Sequence, residues 1–263
     1  MPKLRYKTIE FDKLKMYFSE PYVIDLPNTK GSITVYQPTI GDIVEIGEKK
    51  FYATLNTFIA NTTTYRLFLW ELGYDWNVLS DFELFMMLIP TIDNDVCKLL
   101  FGDVDFKKFD LYEKNDEDLP DNKRMVLYSE EYDIEINEDV YQHFHQYLQN
   151  VFAMKPEEKI TTNQVMKNWF ITKDKRMEKI KEEKGDKDSP TLLNLISSCI
   201  NHPGFKYNVK ELKEVGVCQF YDSVQRLQIY ENSVATLRGL FSGLALSGGK
   251  GVKPDDYNFM RNI

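Results

Sequence analysis

At residue 40 the hydrophobic period of this chain changes, and that change constrains the fold more than any other feature. Before it, Tyr22–Leu26 (YVIDL) and Ser32–Gln37 (SITVYQ) are β-branched and aromatic runs. They flank Pro27-Asn28-Thr29-Lys30-Gly31, a turn composition, so they predict a hairpin, and Pro38 ends its second strand. After it, Ile40, Ile43, Val44, Phe51, Tyr52, Leu55, Phe58 and Ile59 recur at three-and-four spacing. That spacing predicts helix with one apolar face, split or kinked at Gly47. A chain that opens on a hairpin and then turns helical belongs to the α+β class.

Capping chemistry extends the helical reading. Asn61-Thr62-Thr63-Thr64 offers an N-cap for Tyr65–Leu72, with Gly73 in the C′ place. Ser80 and Glu83 form a capping box for Asp81–Ile89, closed by Pro90, and Asp93 caps Asn94–Phe101, which ends at Gly102. The region 40–102 is dense in Phe, Leu, Tyr and Trp, and its task is burial. Strand character returns at Phe109–Glu113, Met125–Ser129 and Tyr132–Ile136 around the polar loop Lys114–Asn122, and these strands are expected to join the hairpin in one sheet. Asn137 caps Glu138–Phe152, and Thr162 opens Asn163–Thr172. Lys173–Asp188 interleaves 7 basic with 6 acidic residues, as in a solvated helix laced with ion pairs or an extended linker.

The C-terminal part carries its own punctuation. Ser189-Pro190 is a helix start, and the helix through Leu192, Leu193, Leu195, Ile196 and Ile200 stops at Asn201-His202-Pro203-Gly204. Asn208 and Glu211 frame a short helix. A long one follows from Val217, with Phe220, Val224, Leu227, Tyr230, Val234, Leu237 and Leu240 on one face. The reading is a predominantly helical α+β chain with a small, mostly antiparallel sheet. Its parts are an N-terminal α+β domain (1–155), a charged helix or linker (156–188), a C-terminal helical module (189–243) and a flexible glycine-rich tail (244–263).

Charge and motif chemistry exclude several functions. The net charge of −8 is regional: residues 103–139 hold 14 acidic against 5 basic side chains, a net of −9, so the remainder sums to about +1. That argues against a nucleic-acid binder. Lys167–Lys173, with Trp169 and Phe170 between its lysines, is too short a basic patch to reverse it. The three cysteines, Cys97, Cys199 and Cys218, sit among apolar neighbours and read as buried thiols of a reducing compartment. The start MPKLRYKTIEF has no apolar h-region, and Phe85–Ile89 is far short of the ~20 residues of a membrane span, so a soluble intracellular protein is expected.

No catalytic, cofactor or metal site is expected. Gly248-Gly249-Lys250-Gly251 lacks the first glycine and the final Ser/Thr of a phosphate-binding loop. His143 and His145, two apart on a helix, point about 200° from each other. Asp93-Asn94-Asp95 and Asp103-Val104-Asp105 lack the glycine and terminal Glu of a calcium loop. Cys199 and His202 are the one cysteine–histidine pair near in sequence, across a helix end before a His-Pro turn, and read as structural.

Leu195–Asn208 (LISSCINHPGFKYN) and Phe220–Gln228 (FYDSVQRLQ) carry a resemblance. With Pro38–Val44 (PTIGDIV), Leu72–Trp76 (LGYDW) and Ser80–Glu83 (SDFE), they are similar to segments of a group of virion morphogenesis proteins from tailed bacteriophages of Gram-positive hosts. The long acidic loop and the glycine-rich tail lie outside the likeness. The resemblance implies assembly without catalysis: a tail assembly chaperone that binds apolar segments of a tail protein, or alternatively a stoichiometric virion protein of the neck, tail or baseplate. It implies other morphogenesis proteins as partners, tape measure or tail tube, with a homo-oligomer among the assemblies it allows. Neither a membrane nor a nucleic acid is expected as a partner, and the expected place is the host cytoplasm during assembly, with retention in the virion as the other outcome. Phe220, Val224, Leu227 and Tyr230 of the long helix are the expected partner-binding residues, and the aromatic cluster of 40–102 is the other apolar surface on offer.

Overall fold

The change of period at residue 40 is the change from hairpin to helix in the computed structural model, which describes residues 6–26, 29, 31–115, 123–184, 191–242 and 253–261. A short helix α1 (Lys13–Tyr17), capped by the Asp12 carboxylate, precedes the hairpin. Strands β1 (Tyr22–Asp25) and β2 (Ser32–Val35) pair antiparallel with Tyr22 opposite Val35. Ile24, Ile33 and Val35 are buried while Val23 is exposed, the alternation a half-covered hairpin requires. Gly47, at φ +98°, divides the next stretch into α2 (Ile40–Ile46) and α3 (Glu48–Ile59).

The helical cluster continues with α4 (Arg66–Glu71), α5 (Asp81–Leu88) and α6 (Asn94–Phe101). The Ser80–Glu83 capping box and the Asp93 cap are present. The threonine cap of α4 is not: Thr64 turns back, its hydroxyl donating to Asn61 Oδ1 at 3.0 Å, and Tyr65 occupies the N-cap without a side-chain bond. Asn61 Oδ1 accepts from both the backbone N–H and the hydroxyl of Thr64, which closes a turn over 61–64 and leaves Thr64 inside that turn, one residue short of the N-cap.

Strands β3 (Asp110–Asn115), β4 (Lys123–Ser129) and β5 (Ile134–Ile136) form an antiparallel sheet of their own, in the order β3-β4-β5. The expected single sheet is therefore two among the described residues. Beyond the end of β2 a helix takes the next backbone donor: Tyr36 N–H bonds the Leu100 carbonyl of α6 at 2.8 Å.

Helix α7 (Glu138–Val151), capped by Asn137, lies across this assembly. Phe58, Phe85, Phe101, Phe106 and Phe144 meet beneath it, with ring centroids as close as 4.8 Å. Each such pair adds about 0.5–1.5 kcal/mol beyond area burial.

Helix α8 (Gln164–Lys184) is one continuous helix, so the described part of the charged segment is helical rather than extended. It docks on α4 through a second small core of Leu69, Trp76, Leu84, Leu88 and Ile171. Arg66 Nε and Nη2 reach the two oxygens of Asp174 within 2.6 Å, and its guanidinium lies over Phe170. Lys167 pairs with Asp75.

The C-terminal helices α9 (Thr191–Ile200), α10 (Val209–Leu212) and α11 (Val217–Phe241) complete the main core, to which Leu192, Cys199, Leu212, Val217 and Phe220 contribute alongside Ile40, Phe51 and Phe58. Ser189-Pro190 lies outside the described residues. A backbone stitch fixes this module in place. The first N–H groups of a helix have no partner within it. At α2 they find carbonyls of the C-terminal segment: Ile40 N–H bonds Val215 O at 3.0 Å and Gly41 N–H bonds Lys213 O at 2.9 Å. Val217 N–H returns the contact to Pro38 O. Gly41 is required here, since a Cβ would sit 2.8 Å from the Lys213 carbonyl oxygen.

Residues 253–261, part of the tail expected to be flexible, make a 3-10 turn over Pro254–Tyr257 and return to α11, where Arg226 donates to Arg261 O and Tyr230 meets Phe259 edge-on. The architecture is predominantly helical α+β with two small antiparallel sheets. Among the described residues no helix is long and apolar enough to cross a membrane.

Candidate functional site

The four residues expected on a partner-binding face of α11 do not share one environment. Phe220 is 0% exposed and belongs to the core. Val224 and Leu227 are half-buried against that core. Tyr230 is exposed, and its ring is engaged by Phe259. Helical spacing placed all four on one side, but the side turns from core to surface along 25 residues. The aromatic cluster of 40–102 is likewise mostly interior.

The groups that invite a chemical reading are tied into structure. His143 and His145 face different surroundings. His143 Nδ1 is 2.7 Å from the Tyr22 hydroxyl, and burial lowers its pKa. His145 is buried, and its Nδ1–H donates to the Phe58 carbonyl at 2.7 Å. Its Nε2 then accepts from the Gln149 amide, 2.8 Å away. His202 accepts from Gly204 N–H at Nδ1 and directs Nε2 toward Glu231 at 3.3 Å. Burial raises the pKa of Cys199, and no hydrogen bond joins its thiol to His202 among the described residues. Burial pushes the Cys97 thiol up to about 11. Asp93 caps α6 and, with Asp95, holds Lys50. Asp105 caps the short turn Phe106–Lys108. Gly248–Gly251 lies outside the described residues. No group of three or more His, Cys, Asp or Glu side chains is placed to hold a metal ion among those described.

Two concavities stand out. One, of about 410 Å³, lies between α4 and α8. Arg66 and Asp174 line it and satisfy each other, and Glu157 does the same for Lys159. It offers no uncompensated charge at those positions.

The other, of about 580 Å³, opens between α2, α9 and α10. Its walls are Ile40 and Val44 of α2, Ile196 and Ile200 of α9, and Val209 and Leu212 of α10. Each wall has a local cause. The Thr39–Asp42 capping box sets the start of α2, so Ile40 and Val44, four apart, share a face. Ile196 and Ile200 do the same on α9. The Asn208–Glu211 box starts α10 with Val209 just inside, and the stitch to Lys213 and Val215 holds α10 beside α2. Ile40 and Leu212 form the buried floor, whereas Val44 and Val209 at the lips are 58% and 60% exposed. Asp42, Glu45 and Glu214 face Lys213 around it, an acidic balance.

No single run of sequence announces this groove, because its walls come from residues 40–44, 196–200 and 209–212. The available signal is that Val44 and Val209 are apolar next to helix starts whose interior needs other residues already meet. Compared with known proteins, the chain matches no family model, no curated protein and no solved structure.

Proposed function

We propose that this chain is a non-enzymatic bacteriophage assembly protein, a tail assembly chaperone, and that the groove between α2, α9 and α10 is where it holds an apolar, helix-forming segment of a tail protein. The observation that carries the reading is the groove itself: an apolar floor, two exposed valines at the lips and an acidic surround. An amphipathic helix laid into such a groove buries its apolar stripe, and lysines or arginines flanking the stripe meet Asp42, Glu45 and Glu214. The occupant is a basic-flanked amphipathic helix, the chemistry of a segment that must stay unaggregated until tail subunits surround it. No cofactor is needed for this work, which takes place in the host cytoplasm.

The test is co-expression with the tape measure and tail tube proteins of the same phage. The intact chain should capture one of them, and Val44→Asp with Val209→Asp, both at exposed positions, should release it while leaving the fold intact. Failure to retain either tail protein would sink the reading.

A second reading, a stoichiometric virion protein, is favoured by α8, which exposes Val165, Met166, Trp169 and Met177. A permanent contact in the particle is one way to cover them. Mass spectrometry of purified particles separates the two: a chaperone is absent or trace, a subunit present in fixed copies.

A further inference from the structure

Helix α8 is held to the fold by one face and leaves another uncovered among the described residues. Ile171 is buried in the small core beneath it, Asp174 is tied to Arg66, and Lys167 to Asp75. Those contacts do not use the residues on the other face. Val165, Met166 and Trp169 are 74%, 42% and 53% exposed, and Met177, about two turns further on, is exposed as well. Three-and-four spacing, from 165 and 166 to 169 and on to 173, 176 and 177, gathers these positions on one side of the helix. At ~1.5 Å per residue that side runs about 18 Å, or about three turns. Trp, Met and Arg are the residues enriched where proteins meet, and Trp169, Met166, Met177 and Arg176 stand together here at the surface.

Charge decides what that side can meet. From Gln164 to Lys181 the helix holds six basic residues and two acidic ones, Asp174 and Glu178. Asp174 is taken by Arg66, and Glu178, one turn on, lines the concavity beside α4. Lys173 and Arg176 stand within the apolar side, and neither has a carboxylate partner among the described residues. Lys173 Nζ lies 5.4 Å from the centroid of the Trp169 ring, which holds the ammonium over the indole without neutralising it. Two copies of α8 laid face to face would crowd two such pairs of cations into one seam, and that is destabilising. A bilayer surface takes cations at the margin of an apolar face, whereas Lys173 and Arg176 stand inside it. A phosphodiester chain would answer the charges and leave Val165, Met166 and Met177 without a partner. What fits is a surface that is apolar and acidic at once.

We propose that this side of α8 docks an acidic amphipathic helix of a partner protein. The partner's apolar stripe packs along Val165, Met166, Trp169 and Met177, with the indole of Trp169 as the central anchor. Asp or Glu beside that stripe meet Lys173 and Arg176, which fixes the register and turns away basic helices. The surface is separate from the groove of α2, α9 and α10, whose occupant carries the opposite charge. The proposal rests on neither reading of the chain's function.

The test uses the whole chain and three synthetic helical peptides of about 20 residues. The first sets leucines at three-and-four spacing and flanks them with glutamates. The second has lysine for each glutamate, and the third keeps the first one's composition but scatters its leucines around the helix. Contact is read from the emission of Trp169, isolated as the difference between the native chain and Trp169→Phe. The expected result is that the glutamate peptide binds and shifts this emission to the blue, with the scattered peptide at least about tenfold weaker. The lysine peptide, the kind the groove would take, should leave Trp169 unmoved. Lys173→Glu with Arg176→Glu, both exposed, should exchange the preference between the two peptides at Trp169 with the circular dichroism unchanged. Four results would overturn the proposal. They are no shift with the glutamate peptide; equal binding by the scattered peptide, which means charge alone; undiminished binding of the glutamate peptide by the charge-reversed chain, which puts the contact elsewhere; and a shift caused by phosphatidylglycerol vesicles, by oligothymidylate or by raising the chain's own concentration but not by the glutamate peptide, which assigns the face to a membrane, a nucleic acid or a second copy.

Discussion

The phenol oxygens of Tyr52 on α3 and Tyr221 on α11 lie 2.6 Å apart, joining parts of the chain 169 positions distant. Burial raises the pKa of both phenols. Tyr52→Phe or Tyr221→Phe leaves the remaining hydroxyl without this partner and should cost about 1 kcal/mol each. The double variant should cost less than the sum, since the second change removes a group already deprived of its bond. Urea denaturation of the four proteins checks this, and strict additivity would deny the bond any net contribution.

The stitch between α2 and the Lys213–Val217 segment predicts an asymmetry between two glycines. Gly41→Ala drives a methyl to 2.8 Å from the Lys213 carbonyl and should destabilise by about 2 kcal/mol. Gly47→Ala meets nothing within 4 Å, and its cost of about 1–3 kcal/mol comes from the backbone alone, since φ +98° with ψ 124° is a conformation L side chains rarely adopt. Amide exchange at Ile40 and Gly41 should quicken in the first variant and not in the second.

His143 gives the fold a pH dependence of definite sign. Burial holds its pKa below the ordinary 6.5, with Asp139 opposing the shift, so the unfolded chain takes up the proton first. The contribution is present above pH 6.5 and is lost as the pH falls toward the folded-state pKa. The stacked Tyr22, whose hydroxyl can donate to the neutral Nδ1, loses that acceptor on protonation. Unfolding free energies at pH 7.5 and 5.5 should differ more for the native chain than for His143→Asn, and equal differences would remove His143 from the account.

Helix α8 is fastened by an arginine that serves two neighbours. Arg66→Ala removes both the paired bonds to Asp174 and the guanidinium over Phe170. The loss should be about 1–2 kcal/mol, and Arg66→Lys should not restore it, because an ammonium has no planar fork. Trp76, buried beneath α8, should become open to acrylamide quenching, whereas Trp169 is already exposed and should change little.

Much of this fold is legible in local sequence because its causes are local. The boxes at Ser80–Glu83 and Asn208–Glu211, the caps at Asp93 and Asn137 and the break at Gly47 each involve residues within four positions of one another. Strand pairing is not local, so the separation of the two sheets, with Tyr36 N–H just past β2 bonded to the Leu100 carbonyl of α6, is not revealed by any strand pattern. Thr64 is not the cap of α4 because Asn61 Oδ1 already draws its N–H and hydroxyl into a turn over 61–64, and the N-cap falls to Tyr65. Periodicity placed Phe220 and Tyr230 on one helix face, but a face turned to the core and one turned to a partner have the same period. The groove was barely legible, with only the apolar Val44 and Val209 to hint at it, because it exists only where α2, α9 and α10 converge.

That convergence also orders events during synthesis. Ile40, Ile43 and Phe51 are finished as core only when Leu212, Val217 and Phe220 arrive, and the first donors of α2 wait for Lys213 and Val215. A ribosome must therefore release most of the chain before its first helices can close over their apolar faces. Until then the emerging protein exposes the kind of surface that nascent-chain chaperones of the cell recognise, and a message truncated near residue 190 would yield a product that stays in that state.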